Sequence, residues 1–216
     1  MNGHPPERTG VRFVLTNASD PRRAEDFSAW YDDYERAIIR PGLIANAFRF
    51  ANPNAGGTET DPRYAALYDI VSADPASAWP ETESSPAYPS YLFADPRSRL
   101  VVPVFRASYA LTGSLEIDDH HAALTGVHIV LSDGGTDALR AKRAADLLET
   151  GFFYGGSRFQ LIEGNPVPPA WLEVFETDRS EPLAAYARAC AAVGAEPPVG
   201  DARERSSRSF AAVAAH

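Results

Sequence analysis

Cysteine is nearly missing from this chain, and lysine and methionine are as rare. Cys190 stands alone, which excludes a disulfide framework within the chain and any site built on several thiolates. Lys142 is the single lysine, so positive charge is carried almost wholly by arginine. That charge is also in deficit: 20 Lys and Arg face 29 Asp and Glu, a formal net charge of −9 with a pI near 5.0. Nucleic acids and anionic membranes select clustered basic surface, so neither is expected as a partner. No apolar run approaches the roughly 20 residues of a membrane-spanning helix. The first residues, MNGHPPERTG, lack the apolar segment of a secretory leader. A cytoplasmic protein is expected. A glycine-rich phosphate loop and a GxSxG nucleophile turn are both missing. The run DDHH at 118–121 carries metal-binding residue types, but four consecutive residues do not readily converge on one ion. None of His120, His121 and His128 sits in a recognisable haem motif. No metal and no cofactor are therefore expected.

What is present is a repeat. The 216 residues, 44% hydrophobic and 23% charged, suffice for one large or two small domains. VRFVLTN (11–17) pairs with VHIVLSD (127–133), each an alternating β-branched strand. A helical period follows each. In the first copy it places Phe27, Trp30 or Tyr31, Tyr34 and Ile38 on one face. In the second it places Leu139, Arg143, Asp146 or Leu147, and Thr150 there. GLIANAFRF (42–50) matches GFFYGGSRF (151–159), a post-helix glycine and then a strand ending in Arg-Phe. RYAALYDI (63–70) matches AWLEVFET (170–177). DPASAW (74–79) and EPLAAY (181–186) open helices with proline near the first position. FRASYALTG (105–113) matches SRSFAAVAA (207–215). Each half reads β-α-β-β-α-β. The fold class expected is α+β: two tandem ferredoxin-like repeats packed sheet to sheet. The first repeat spans 11–117 with an insertion at 80–99, and the second spans 127–216. They follow an N-terminal tail (1–10) and flank a connector (118–126). The insertion reads either as a functional lid or as structural cover.

The residues Trp30, Tyr31, Asp32, Pro41, Gly42, Arg49, Phe50, Arg63, Tyr64, Leu67 and Tyr68 form a pattern that resembles the dimeric α+β barrel superfamily, closest to its EthD-like branch. The match is good over 11–75 and traceable over 127–215. The resemblance implies an intramolecular barrel, as a pseudo-dimeric monomer or a homodimer, with a ligand in its lumen. It also implies small-molecule or secondary metabolism, in a superfamily that includes polyketide cyclases, lactone isomerases, cofactor-free monooxygenases and haem enzymes. Where relatives often carry a histidine three residues after the Asp of WYD, this chain has Glu35.

The candidate chemistry is carboxylate and arginine. Asp32 and Glu35 share a helical face, so burial and mutual repulsion can leave one of them protonated near neutrality. The alternative is a solvated acidic face paired with Arg36 or Arg40. Arg49 and Arg158, at matched positions, either face a lumen and hold an oxyanion or pair with helix carboxylates. His128 is a candidate buried neutral base or a hydrogen-bonded core residue; its repeat partner is Arg12. Tyr31, Tyr64, Tyr68, Tyr154 and Trp171 form a candidate aromatic lining for a flat hydrophobic substrate, or a core. Glu173, between Trp171 and Phe175, needs a partner if buried, and Arg158 is the expected one. The expected activity is cofactor-free cyclisation, dehydration or isomerisation of a hydrophobic carbonyl or polyketide-like substrate. The alternatives are a cofactor-independent quinol- or anthrone-type monooxygenase and a non-catalytic ligand-binding barrel.

Overall fold

The computed structural model describes residues 7–52, 54–117, 124–165, 168–194 and 204–212. The DDHH run falls outside them. The fold is mixed α and β, in two compact units. One is built on the chain up to Ala110 together with Ile162–Pro168. The other is built on Leu111–Leu161 and Pro169–Ala212.

The first unit begins with β1 (Gly10–Ala18), followed by α1 (Ala24–Ile38), β2 (Ile44–Ala51), β3 (Tyr64–Ile70) and α2 (Pro75–Ser84). Strand β4 (Val101–Glu116) follows, with its residues up to Ala110 in this unit. All pairings are antiparallel, in the order β4-β1-β3-β2. Local chemistry sets the ends. The Asp74 carboxylate accepts from the Ala76 amide at 3.0 Å and Pro75 opens α2, an N-cap followed by a first-position proline. After α1 the chain turns at Gly42, φ +86°, where a side chain would be strained.

The α1 face predicted from spacing is the buried one. Phe27, Trp30, Tyr31, Tyr34 and Ile38 pack on Tyr64, Ala66, Tyr68 and Ile70 of β3. Phe27 lies 4.6 Å from Tyr64, centroid to centroid. The opposite face of the same sheet is apolar, with Val11, Phe13, Leu15, Phe50, Ala65 and Leu67 all buried. The segment expected as an insertion at 80–99 is more ordered than a loop: α2 runs to Ser84, and two 3-10 turns follow at Ser90–Ala94 and Pro96–Leu100. They dock on α1, where the Trp30 indole donates to the Leu92 carbonyl at 2.9 Å. Phe93 meets the rings of Trp30 and Tyr34 edge-on.

The second unit contains β5 (Gly126–Ser132), α3 (Asp137–Glu149), β6 (Gly155–Asn165), β7 (Trp171–Thr177), α4 (Pro182–Ala192) and β8 (Glu204–Ala212), with β6 contributing its residues up to Leu161. The antiparallel order is β8-β5-β7-β6. Two expectations are corrected. The strand after Gly151 starts only at Gly155, because residues 151–154 complete the turn out of α3. The buried face of α3 is Arg140, Ala144, Leu147 and Leu148, while Leu139 is 63% exposed. The Thr136 hydroxyl caps this helix by accepting from the Leu139 amide, which fixes the phase one residue from that read in the sequence. Among the described residues no helix is long and apolar enough to cross a membrane.

Candidate functional site

Residues of one parity on a strand share a face. Arg49 stands opposite Ala66 in the β2–β3 register, so it lies on the side covered by α1. Its guanidinium donates to Asp32 Oδ1 at 2.7 Å and to the Ser28 carbonyl at 3.1 Å. It also lies 5.2 Å over the Tyr31 ring. The two side chains of this ion pair are 2% and 9% exposed. Arg49, whose Nε has no partner, is thus paired with a helix carboxylate, the second of the two expected placements. Arg158 behaves alike. Its Nε donates to Asp137 Oδ1 at 3.2 Å, and its tip fills the space above Gly113, where a Cβ would meet Nη2 at 2.3 Å.

Glu35 sits one turn beyond Asp32. Its Oε1 is buried and accepts no hydrogen bond. Burial raises its carboxyl from 4.5 to about 7, with the Asp32 charge adding to the rise and Arg49 opposing it. Glu35 is thus a helix carboxyl that burial raises toward neutrality. Asp33, on the outer side, pairs with Arg36 and Arg97.

In the second unit, Glu173 is fully buried and accepts from Arg143 Nε at 3.2 Å and from Arg143 Nη2. Its partner is therefore Arg143 of α3, not Arg158, although Arg158 is opposite it in the strand register. Burial still pushes its carboxyl upward. The Arg140 guanidinium stacks 4.2 Å from the centroid of the Trp171 ring. His128 is fully buried and lies 3.6 Å from the Tyr186 ring, nearly parallel to it. Desolvation, with the Arg143 charge adding to it, lowers its pKa to about 3. Burial thus keeps the imidazole neutral at ordinary pH. Among the described residues no group of three metal-ligating side chains converges. Tyr154 is partly exposed just before β6 begins, its phenol raised to about 12 chiefly by desolvation, apart from Trp171 and Glu173.

An open pocket does occur on the helix-covered side of the first unit's sheet. It has a volume near 140 Å³. Tyr31, Tyr34, Tyr68, Trp30 and Trp79 form its walls, and Phe93 and Tyr88 of the docked segment form its roof. Arg12 lies at its base, 8% exposed, with its guanidinium 5.0 Å over the Trp79 ring. One amino group of Arg12 donates to Ser108 Oγ at 2.9 Å and to Glu163 Oε1 at 3.1 Å, while Nε has no partner. Glu83 and Arg106, both exposed, line the mouth. The Tyr34 and Tyr88 hydroxyls hydrogen-bond to each other, and burial pushes the Tyr34, Tyr31 and Tyr68 phenols upward, Tyr31 to about 12. They are neutral hydrogen-bonding groups at ordinary pH.

Of the substrate-lining residues expected, Tyr31 and Tyr68 reach this pocket, and Tyr64 is packed under Phe27. Asp32, Glu35 and Arg49 sit behind the Tyr31 wall. The sequence reading missed Arg12, Trp79, Glu83 and Tyr88 as site residues. One signal was available: Arg12 is the charged residue of its strand, and it matches a second polar position, His128, in the repeat.

No family model and no curated protein matches this sequence. Among solved structures, a mutant chlorite dismutase from Candidatus Nitrospira defluvii is similar with a TM-score of 0.62 at 8% identity, over 97% of this chain and 93% of its own. An anthrone oxidase-like protein gives 0.54 at 9% identity, over 98% and 94%. A monooxygenase-type protein from Fusobacterium nucleatum gives 0.54 at 10% identity, over 95% and 92%. At such identities the likeness is one of fold alone and says nothing of activity.

Proposed function

We propose that this chain binds a hydrophobic carbonyl or phenolic small molecule in the pocket of the first unit and moves a proton on it without a cofactor, in a cyclisation, dehydration or isomerisation. The observation that carries the reading is an unpartnered Arg12 Nε–H at the base of an aromatic pocket. A donor held in a site of low dielectric stabilises charge that develops on a substrate oxygen, and the flat walls orient the ring that bears it. Arg12 takes the oxyanion role first considered for Arg49 and Arg158. Glu83, at the mouth, accepts the proton. The Trp79 indole donates to Glu83 Oε1 at 2.9 Å, which holds that carboxylate in place. Tyr34 and Tyr88 supply hydroxyl contacts. Asp32, Glu35 and Arg49 support the Tyr31 wall from behind.

A second reading draws on the anthrone oxidase-like and monooxygenase-type structures, whose fold this chain shares: the same pocket holds an electron-rich phenol for reaction with oxygen. Turnover assays with enolisable cyclic ketones and phenols, run on an oxygen electrode, separate the two. Product without oxygen uptake, abolished in Arg12→Met, supports proton transfer. Uptake proportional to product supports oxygenation. Ligand binding without turnover leaves a non-catalytic binding protein. Strand orders β4-β1-β3-β2 and β8-β5-β7-β6 also support, as a proposal, two tandem ferredoxin-like repeats; the EthD-like type and a pseudo-dimeric cytoplasmic protein of secondary metabolism are proposed on the sequence pattern alone.

A further inference from the structure

Resting on that pocket reading, we infer a narrower substrate class: a one-ring monoanion, an aromatic or enolisable ring bearing one carboxylate or equally compact anionic oxygen group.

Two independent features lead there. The first is size. An apolar cavity of about 150 Å³ takes a benzene ring, and this pocket measures near 140 Å³. One ring fills it, and a larger ring system would extend past Glu83 and Arg106 into solvent. The second is charge. Arg12 is the buried cation of the lining. One amino group serves Ser108 and Glu163, and Trp79 covers one face of the guanidinium. The unpartnered Nε–H remains. A buried donor on a charged group is costly to leave unmade, and a carboxylate satisfies it with a charge-assisted bond, about twice as strong as a neutral one. The charged groups at the site are Arg12 and Arg106 against Glu83 and the Glu163 bonded to Arg12, two of each sign in a chain whose formal net charge is −9. Burial lowers the Arg12 pKa, against the opposing pull of Glu163 and Glu83. Aromatic walls on Trp30, Tyr31 and Tyr68 leave the ring, and not the anion, to face them.

The test is a titration of the full chain at constant ionic strength, by tryptophan fluorescence and calorimetry, with benzoate, benzamide and 9-anthracenecarboxylate. Benzoate is expected to bind at least about tenfold tighter than benzamide, and anthracenecarboxylate weakest. Arg12→Met should erase the benzoate preference. Because that change is buried, Glu83→Gln provides the second arm: loss of the mouth carboxylate should tighten benzoate several-fold and leave benzamide unmoved. Equal affinity for benzoate and benzamide in the parent chain, or no response to Glu83→Gln, overturns the anionic class while leaving a pocket for neutral rings. Tighter binding of the three-ring acid overturns the size limit. No signal with any of the three overturns the pocket reading itself.

Discussion

Replacing Glu35 by Gln should alter how stability depends on pH, and the sign follows from the direction of its shift. The folded carboxyl titrates near 7, raised from 4.5 mainly by burial. Between those values the folded chain keeps a proton that the unfolded chain has lost. Stability from this group is therefore full below about 4.5, falls as pH rises, and is spent above 7. At about 1.4 kcal/mol per pH unit the interval from 4.5 to about 7 corresponds to roughly 3 kcal/mol. Glu35 is partly exposed, so about 1–3 kcal/mol is the working range. Glutamine keeps the shape and never ionises. Urea unfolding of parent and Glu35→Gln at several pH values between 4 and 8 isolates the effect, since all other titrating groups are common to both. The variant should gain on the parent steadily from pH 4.5 to 7 and hold its advantage at pH 8. A difference that does not change with pH would refute the burial argument, and with it the statement that Oε1 has no partner.

Three further outcomes follow from the same geometry. Arg49→Met should cost about 3–5 kcal/mol by stranding the Asp32 carboxylate, and adding Asp32→Leu should recover much of that loss in a double-mutant cycle by denaturant unfolding. Trp30→Phe removes the bond to the Leu92 carbonyl and should cost about 1 kcal/mol, with limited proteolysis appearing first within residues 85–100. Gly42→Ala, at φ +86°, should cost about 1 kcal/mol for a strained backbone in the same unfolding assay, without affecting ligand titrations.

The order of elements was legible because strand alternation, Pro-led helix starts and post-helix glycines are local signals. Parity also grouped Tyr64 with Tyr68, and Trp171 with Glu173 and Phe175. What alternation cannot say is which face a helix covers. Every residue of β3 and β5 is buried, so neither strand shows a wet side to orient it. That is why Arg49 and Arg158 read equally well as lumen groups or as partners of helix carboxylates, and the second alternative is the one observed. Glu173 went to the wrong arginine for a related reason. The strand register brings Arg158 opposite it, but the α3 phase, set by the Thr136 cap, brings Arg143 closer. The pocket was the least legible part. Its roof comes from the Pro- and Ser-rich segment, whose 3-10 turns have no strong period, and its base is an arginine that looked like an ordinary strand residue.

The stack of His128 on Tyr186 has one more consequence. Arg12 and His128 occupy matching positions on the first strand of each unit, yet only Arg12 has open space beside it. In the second unit the phenol ring of Tyr186 takes that space, much as a guest molecule would. The side chain is in effect a tethered ligand, and Tyr186→Ala would empty a berth one ring across. A free phenol supplied in solution should then restore the lost stability, which makes the second unit a ready scaffold for chemical rescue.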